Sequence, residues 1–168
     1  MDLEQISSYA EIIEAVVIIV SLIYLTLQVK QNTQTTRAAA AQAQVDAYAS
    51  VISPMAQSKD GARAWYKGIQ DANKLKGEEI VMFYAQANMF FRMIESSYYQ
   101  QKTGALDPQL WEGMGRLVLH FYNQKGMQQY LEVRGGGLSD EFREWLKENS
   151  LKQGLKTSPY TLPKSKKK

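Results

Sequence analysis

The sequence predicts an all-α protein in which one amino-terminal transmembrane helix continues into a compact helical domain. Three observations carry that prediction. Ile12 to Val29 reads IIEAVVIIVSLIYLTLQV, with Glu14 as its only charge. Gln31 to Ser53 contains no Gly or Pro and is rich in Ala and Gln. From Glu78 to Lys102 apolar residues recur at helical spacings, and nothing elsewhere reads as a strand.

The first run is 18 residues long. At about 1.5 Å rise per residue it makes a helix about 27 Å long, close to the roughly 30 Å hydrocarbon core of a bilayer, and Ser8 to Ala10 can lengthen it. A buried soluble helix should show polar positions every turn, yet Ala15 to Val20 shows none. Residues 2–14 carry Asp2, Glu4, Glu11 and Glu14 and no basic side chain. That lacks the positive start of a cleaved signal peptide, so the segment reads as retained. All 20 Lys and Arg lie after residue 14, while four of the 17 acidic residues stand at or before it, leaving −4 on one side and +7 on the other. With Lys30 and Arg37 nearest the span, the positive-inside tendency puts the amino terminus outside and the domain in the cytoplasm.

Glu14, Ser21 and Gln28 recur every seven residues, which places them on one face of the span. Such a stripe reads as an intramembrane face for a partner helix. The plainer alternative puts Glu14 and Gln28 at the headgroup levels and bonds Ser21 to its own backbone. Beyond the span, Ala38, Ala41, Val45, Tyr48, Ile52 and Met55 form a narrow apolar seam suited to packing on another helix, and Pro54 ends or kinks the segment.

A short helix follows around Lys59 to Asp71, with Trp65, Tyr66 and Ile69 as buried candidates, and Asn73 to Gly77 reads as a loop. In the central helix, Ile80, Phe83, Tyr84, Ala87, Phe90, Phe91, Ile94 and Tyr98 mark the core face. Glu78 and Glu79 suit its first turn. Gly104 stops it, Asp107 caps the next helix with Pro108 at its first position, and Leu110, Met114, Leu117, Val118 and Phe121 mark that helix's buried face. A short helix near Lys125 to Val133, a flexible hinge at Gly135 to Gly137, and a helix capped by Ser139 with Phe142, Trp145 and Leu146 complete the domain. The organisation is an anchor over residues 1–30, a helical domain over 31–153 and a disordered basic tail over 154–168.

Leu22-Ile23-Tyr24-Leu25 with Gln28-Val29 and Gln31-Asn32-Thr33, before an Arg37-Ala stretch, resembles a group of uncharacterised bacterial single-span membrane proteins. A second signature follows in Glu95, Tyr98, Tyr99 and Gln100, then Gly104, Leu106, Asp107 and Trp111, with Phe142 in a weaker third. The resemblance implies an anchored helical domain at a bacterial inner membrane, with a periplasmic amino terminus. It supplies no catalytic residue, and the terminal lysines are not a usual part of it.

Composition closes most chemistry. There is no Cys and one His, which removes disulfides, thiolate zinc sites, cysteine nucleophiles and most histidine sites. Arg92 and Glu95, three apart beside Phe91, Ile94 and Tyr98, are the sharpest constellation and read as an intrahelical pair. His120 stands without a second His, and the glycine triplet lacks a phosphate-loop ending. Lys164, Lys166, Lys167 and Lys168 form a basic cluster for an anionic lipid surface or an acidic partner, with nucleic acid not expected. The reading is therefore a non-enzyme without cofactor or metal. It is expected to be a single-pass accessory or scaffold subunit of a larger integral membrane complex of respiratory, transport or photosynthetic type. The rival reading is a membrane-tethered sensor or ligand-binding domain, with an anchored hydrolase third.

Overall fold

The computed structural model describes residues 3–153, with side chains placed over residues 9–150; the lysine cluster from Lys164 to Lys168 lies outside the described residues. Six α-helices follow in order: α1 (Leu3–Gln57), α2 (Lys59–Gln70), α3 (Glu78–Lys102), α4 (Pro108–Tyr122), α5 (Lys125–Arg134) and α6 (Asp140–Gln153). Single 3₁₀ turns sit at Ala72–Lys74 and Gly135–Gly137, and no strand occurs among the described residues. The chain divides into two compact units, one up to Ala39 and one from Ala40 onward.

In the first unit every described side chain is exposed. It contains one helical stretch long and apolar enough to cross a membrane, and none of its apolar window is covered by protein.

In the second unit α3 is central and packs against α2, α4 and α5, while α6 lies on α4. Its bounds follow from punctuation at both ends. Gly77 and Gly104 are the two described residues with positive φ, at 54° and 74°, a region where a side chain is strained. Beyond Lys102 the Ala105 and Leu106 N–H groups both donate to the Gln100 carbonyl, closing the helix. Asp107 then caps α4 by accepting from the Gln109 N–H at 2.8 Å, with Pro108 first in the helix as expected. The core gathers Trp65 and Ile69 from α2, Phe83, Phe90, Phe91 and Ile94 from α3, Val118 from α4, Met127 and Tyr130 from α5, and Phe142 and Leu146 from α6.

Several expectations change. Tyr66, Ile80 and Leu110 are exposed rather than buried, because each lies at the edge of its helix's packed stripe. Pro54 does not end α1; only one turn follows it, so a single lost backbone bond near the end is tolerated. The glycine triplet is an ordered 3₁₀ turn closed by the Leu138 N–H on the Gly135 carbonyl, with Gly135 buried, and not a hinge. The seam on α1 is turned by one residue. Val45 and Tyr48 are exposed and Ala38 lies open, with Ala41 and Ile52 half-buried, whereas Gln44 and Val51 are buried. The reason is polar: Ser97 Oγ donates to Gln44 Oε1 at 2.7 Å inside the core.

Candidate functional site

The stripe of Glu14, Ser21 and Gln28 divides by its hydrogen bonds. Ser21 Oγ donates to the Val17 carbonyl and Gln28 Nε2 to the Tyr24 hydroxyl, each at 2.8 Å within its own helix. Ser21 is thereby satisfied within its own helix, whereas the Gln28 amide keeps its Oε1 acceptor open. Glu14 makes no hydrogen bond or ion pair with the described residues, so its whole carboxyl is left open to another molecule. Around these residues Ile12, Ile13, Val16 to Val20, Leu22, Ile23, Leu25, Leu27 and Val29 are all more than half exposed. Exposing a dozen large aliphatic side chains to water forfeits on the order of 20 kcal/mol of burial, more than the roughly 5–15 kcal/mol that stabilises a typical domain.

Four residues of the second signature, Glu95, Tyr98, Tyr99 and Trp111, assemble into a clasp between α3, α4 and the start of α6. Glu95 is buried, with Oε1 accepting from the Ser139 N–H at 2.7 Å and Oε2 from Arg92 at 2.8 Å. Burial disfavours its charge, yet the Ser139 N–H and hydroxyl and the Arg92 guanidinium outweigh that and hold the carboxyl below its ordinary value. One turn on, the Tyr99 hydroxyl donates to Ser139 Oγ at 2.9 Å, and Ser139 Oγ accepts from the Phe142 N–H at the helix start. Tyr98 donates to Glu141 at 2.9 Å, and Lys102 pairs with the same carboxylate. Burial first, and then the hydrogen bond to Glu141 and its charge, push the Tyr98 hydroxyl up to about 12. The Lys102 and Tyr98 donors hold Glu141 below its usual value. Trp111 and Trp145 close the clasp with ring centroids 5.0 Å apart.

This geometry determines the chemistry open to Glu95. A general base works best with a pKa near the operating pH and a free lone pair aimed at substrate. Glu95 has a lowered pKa, and both of its oxygens already accept bonds from its own chain. It orients α6 and fixes the fold.

A second clasp went unforeseen in the sequence. Asp71 accepts from Lys125 at 2.7 Å and from Gln129 at 3.1 Å, and these donors lower its pKa. Gln129 Oε1 also accepts from the Ala72 N–H at 2.7 Å, joining the first 3₁₀ turn to α5. The only local signal was an Asp following a helix; its partners lie more than fifty residues away.

His120 Nε2 is buried without a hydrogen-bond partner, and its ring packs edge-on to Phe121. Among the described residues no three His, Asp or Glu side chains gather as metal ligands. Glu79 accepts from Lys67 at 2.8 Å, which lowers its pKa and ties α2 to α3.

Two open grooves mark the surface of the second unit. One, of about 400 Å³, runs between the end of α1 and α4, lined by Tyr48, Ile52, Met55, Leu117 and Phe121. The other, of about 580 Å³, lies between α3 and α5. Comparison of the chain with protein-family models, with curated proteins and with solved structures found no match.

Proposed function

We propose that the chain is a non-catalytic, single-pass membrane subunit that attaches its helical domain to a larger integral membrane assembly, of respiratory, transport or photosynthetic type. The observation that carries the reading is the stretch from Ile12 to Val29, predominantly apolar and uncovered by protein. Hydrocarbon is the solvent such a surface fits. The absence of basic residues before it speaks for an anchor over a cleaved signal, and the −4 and +7 division favours an amino terminus in the periplasm and a domain in the cytoplasm of a bacterial cell. The bacterial setting rests on the resemblance of the two signatures.

Partner contact has two supports. Glu14 is an unsatisfied carboxyl at the edge of the apolar run, and groups of that kind prefer a partner in the membrane. The groove beside Tyr48 and Ile52 leaves part of the α1 seam free for a further apolar segment. The motif carboxylate Glu95 serves folding, which favours a scaffold over an enzyme.

Reporter fusions at the carboxy terminus test the topology. Activity of a cytoplasmic reporter, with the domain protected from protease in intact spheroplasts, is the expected result. Activity of a periplasmic reporter alone, or release of the protein by carbonate, would overturn it. Native purification in mild detergent should bring down integral membrane subunits.

A further inference from the structure

The groove between α3 and α5 has a built polarity. Along α3 its wall passes from Val81 through Tyr84 and Ala85 to Asn88, two turns further on. α5 runs in the same sense, because Tyr130 donates to Asn88 at 3.2 Å, Gly137 lies against Arg92 and Ser139 bonds Glu95. Arg134, on the turn after Tyr130, therefore stands at the Asn88 end, opposite Val81. The aliphatic part is open: Val81 is 71% and Val133 66% exposed, the two most exposed aliphatic side chains described in this unit.

The polar end has capacity to spare. Arg134 makes no ion pair or hydrogen bond with the described residues, and the Tyr84 hydroxyl donates to none of them. Arg92, which also acts on Tyr130, is already held by Glu95. One unmatched guanidinium calls for one negative charge, and its planar fork of N–H donors matches a carboxylate. A dianionic phosphate would ask for a second free cation. The volume, about 580 Å³, lies within the range of small-molecule clefts.

We propose that this groove binds one long-chain fatty acid, with its carboxylate on Arg134 beside the Tyr84 hydroxyl and the first part of its chain running past Val133 and Ala85 towards Val81. The inference goes beyond the accessory role and does not depend on any partner complex.

The test uses the full-length protein in a non-ionic detergent, titrated with oleate and read by native mass spectrometry. One oleate per chain is expected for the wild type. Arg134→Gln removes the charge at an exposed position and should weaken binding about tenfold, as loss of a charge-assisted bond does. Ala85→Trp fills an exposed stretch of the wall and should abolish it, with helix content and melting unchanged. Methyl oleate should bind at least about tenfold more weakly than oleate, and acetate should not compete. Equal uptake by all three proteins would place the lipid on the apolar amino-terminal helix and overturn the proposal. Competition by acetate at oleate's concentration, or preference for dioleoyl phosphatidate, would do the same by showing a bare anion site or a phospholipid site. Loss of oleate binding leaves the topology result untouched, so the two readings fail separately.

Discussion

Glu95→Ala should destabilise the helical unit by about 2–4 kcal/mol, and the sum can be worked from its contacts. The Ser139 N–H donates to Glu95 Oε1 at 2.7 Å in a partly buried setting. A hydrogen bond to a charged group is worth about 1.5–3 kcal/mol, and the stranded donor adds to the loss. The Arg92 pair contributes at most about 1 kcal/mol, since the Arg92 side chain is half exposed. In a unit of this size each kcal/mol shifts the melting temperature by roughly 3–5 °C, so a fall of about 10 °C is expected. Thermal melts followed by the emission of Trp111 and Trp145, which sit in the clasp, would read it. Glu95→Gln keeps an acceptor for Ser139 and should lose about half as much. The pH dependence has a definite sign. Because folding lowers the Glu95 pKa, its stabilisation is present above the ordinary value of 4.5 and disappears as the pH falls through the folded value. Wild type and Glu95→Gln should therefore converge in acid. A Glu95→Ala protein that melts with the wild type, or a gap to Glu95→Gln that persists unchanged in acid, would show that the carboxylate does not hold the fold. Glu95 would then again be a candidate for chemistry.

Two further outcomes follow from the packing and from the span. Gly126→Ala should cost about 2 kcal/mol or more in a denaturant melt, because its Cβ would overlap the Gly68 carbonyl, while Gly113→Ala, with open space around it, should gain about 0.5–1 kcal/mol. Equal signs for the two variants would refute this account of the α2–α5 crossing. Glu14→Leu should reduce the recovery of co-purifying membrane subunits, and Ser21→Leu should leave it unchanged because Ser21 is satisfied by Val17. Full recovery with Glu14→Leu would place that carboxyl at the headgroup level, without a partner.

What sequence pattern could specify here was local. α3 and the start of α4 were legible because their limits are written in glycines with positive φ, acidic first-turn residues and an Asp-Pro cap. The long apolar helix was legible because Ala15 to Val20 offers no polar position, and such a run has no reading that depends on distant residues. The face of α1 was misread for the opposite reason. Ranking by hydrophobicity selects Val45 and Tyr48, yet the helix turns Gln44 inward, because its amide matches Ser97, 53 positions away. The glycine triplet suggested freedom, but the Leu138 and Ser139 N–H groups, bonded to Gly135 and Glu95, fix the two residues that follow it. The groove polarity was equally hidden, since it needs α3 and α5 side by side.

The same long-range pairing explains why a signature rich in Glu, Tyr and Gln need not mark an active site. Six-helix domains of this size must fix the angle of each short helix with few contacts, and α6 begins directly after a turn of three glycines that supply no side chains. The orienting groups must then come from α3. Glu95 supplies the acceptor for the first N–H of the cap, Tyr99 the donor for its hydroxyl, and Tyr98 with Lys102 hold the acid of the following turn. Every polar group in that list is matched inside the chain. Among the described residues, polar groups left without a bond include the Glu14 carboxyl, the Tyr84 hydroxyl and the Arg134 guanidinium at the surface, and the buried Gln86 Oε1, Gln100 Oε1 and His120 Nε2. Recognition of anything outside the chain requires groups whose bonds are still to be made, and at the surface such groups lie on the apolar amino-terminal helix and in the α3–α5 groove, whereas Glu95, Tyr98, Tyr99 and Lys102 spend theirs on α6.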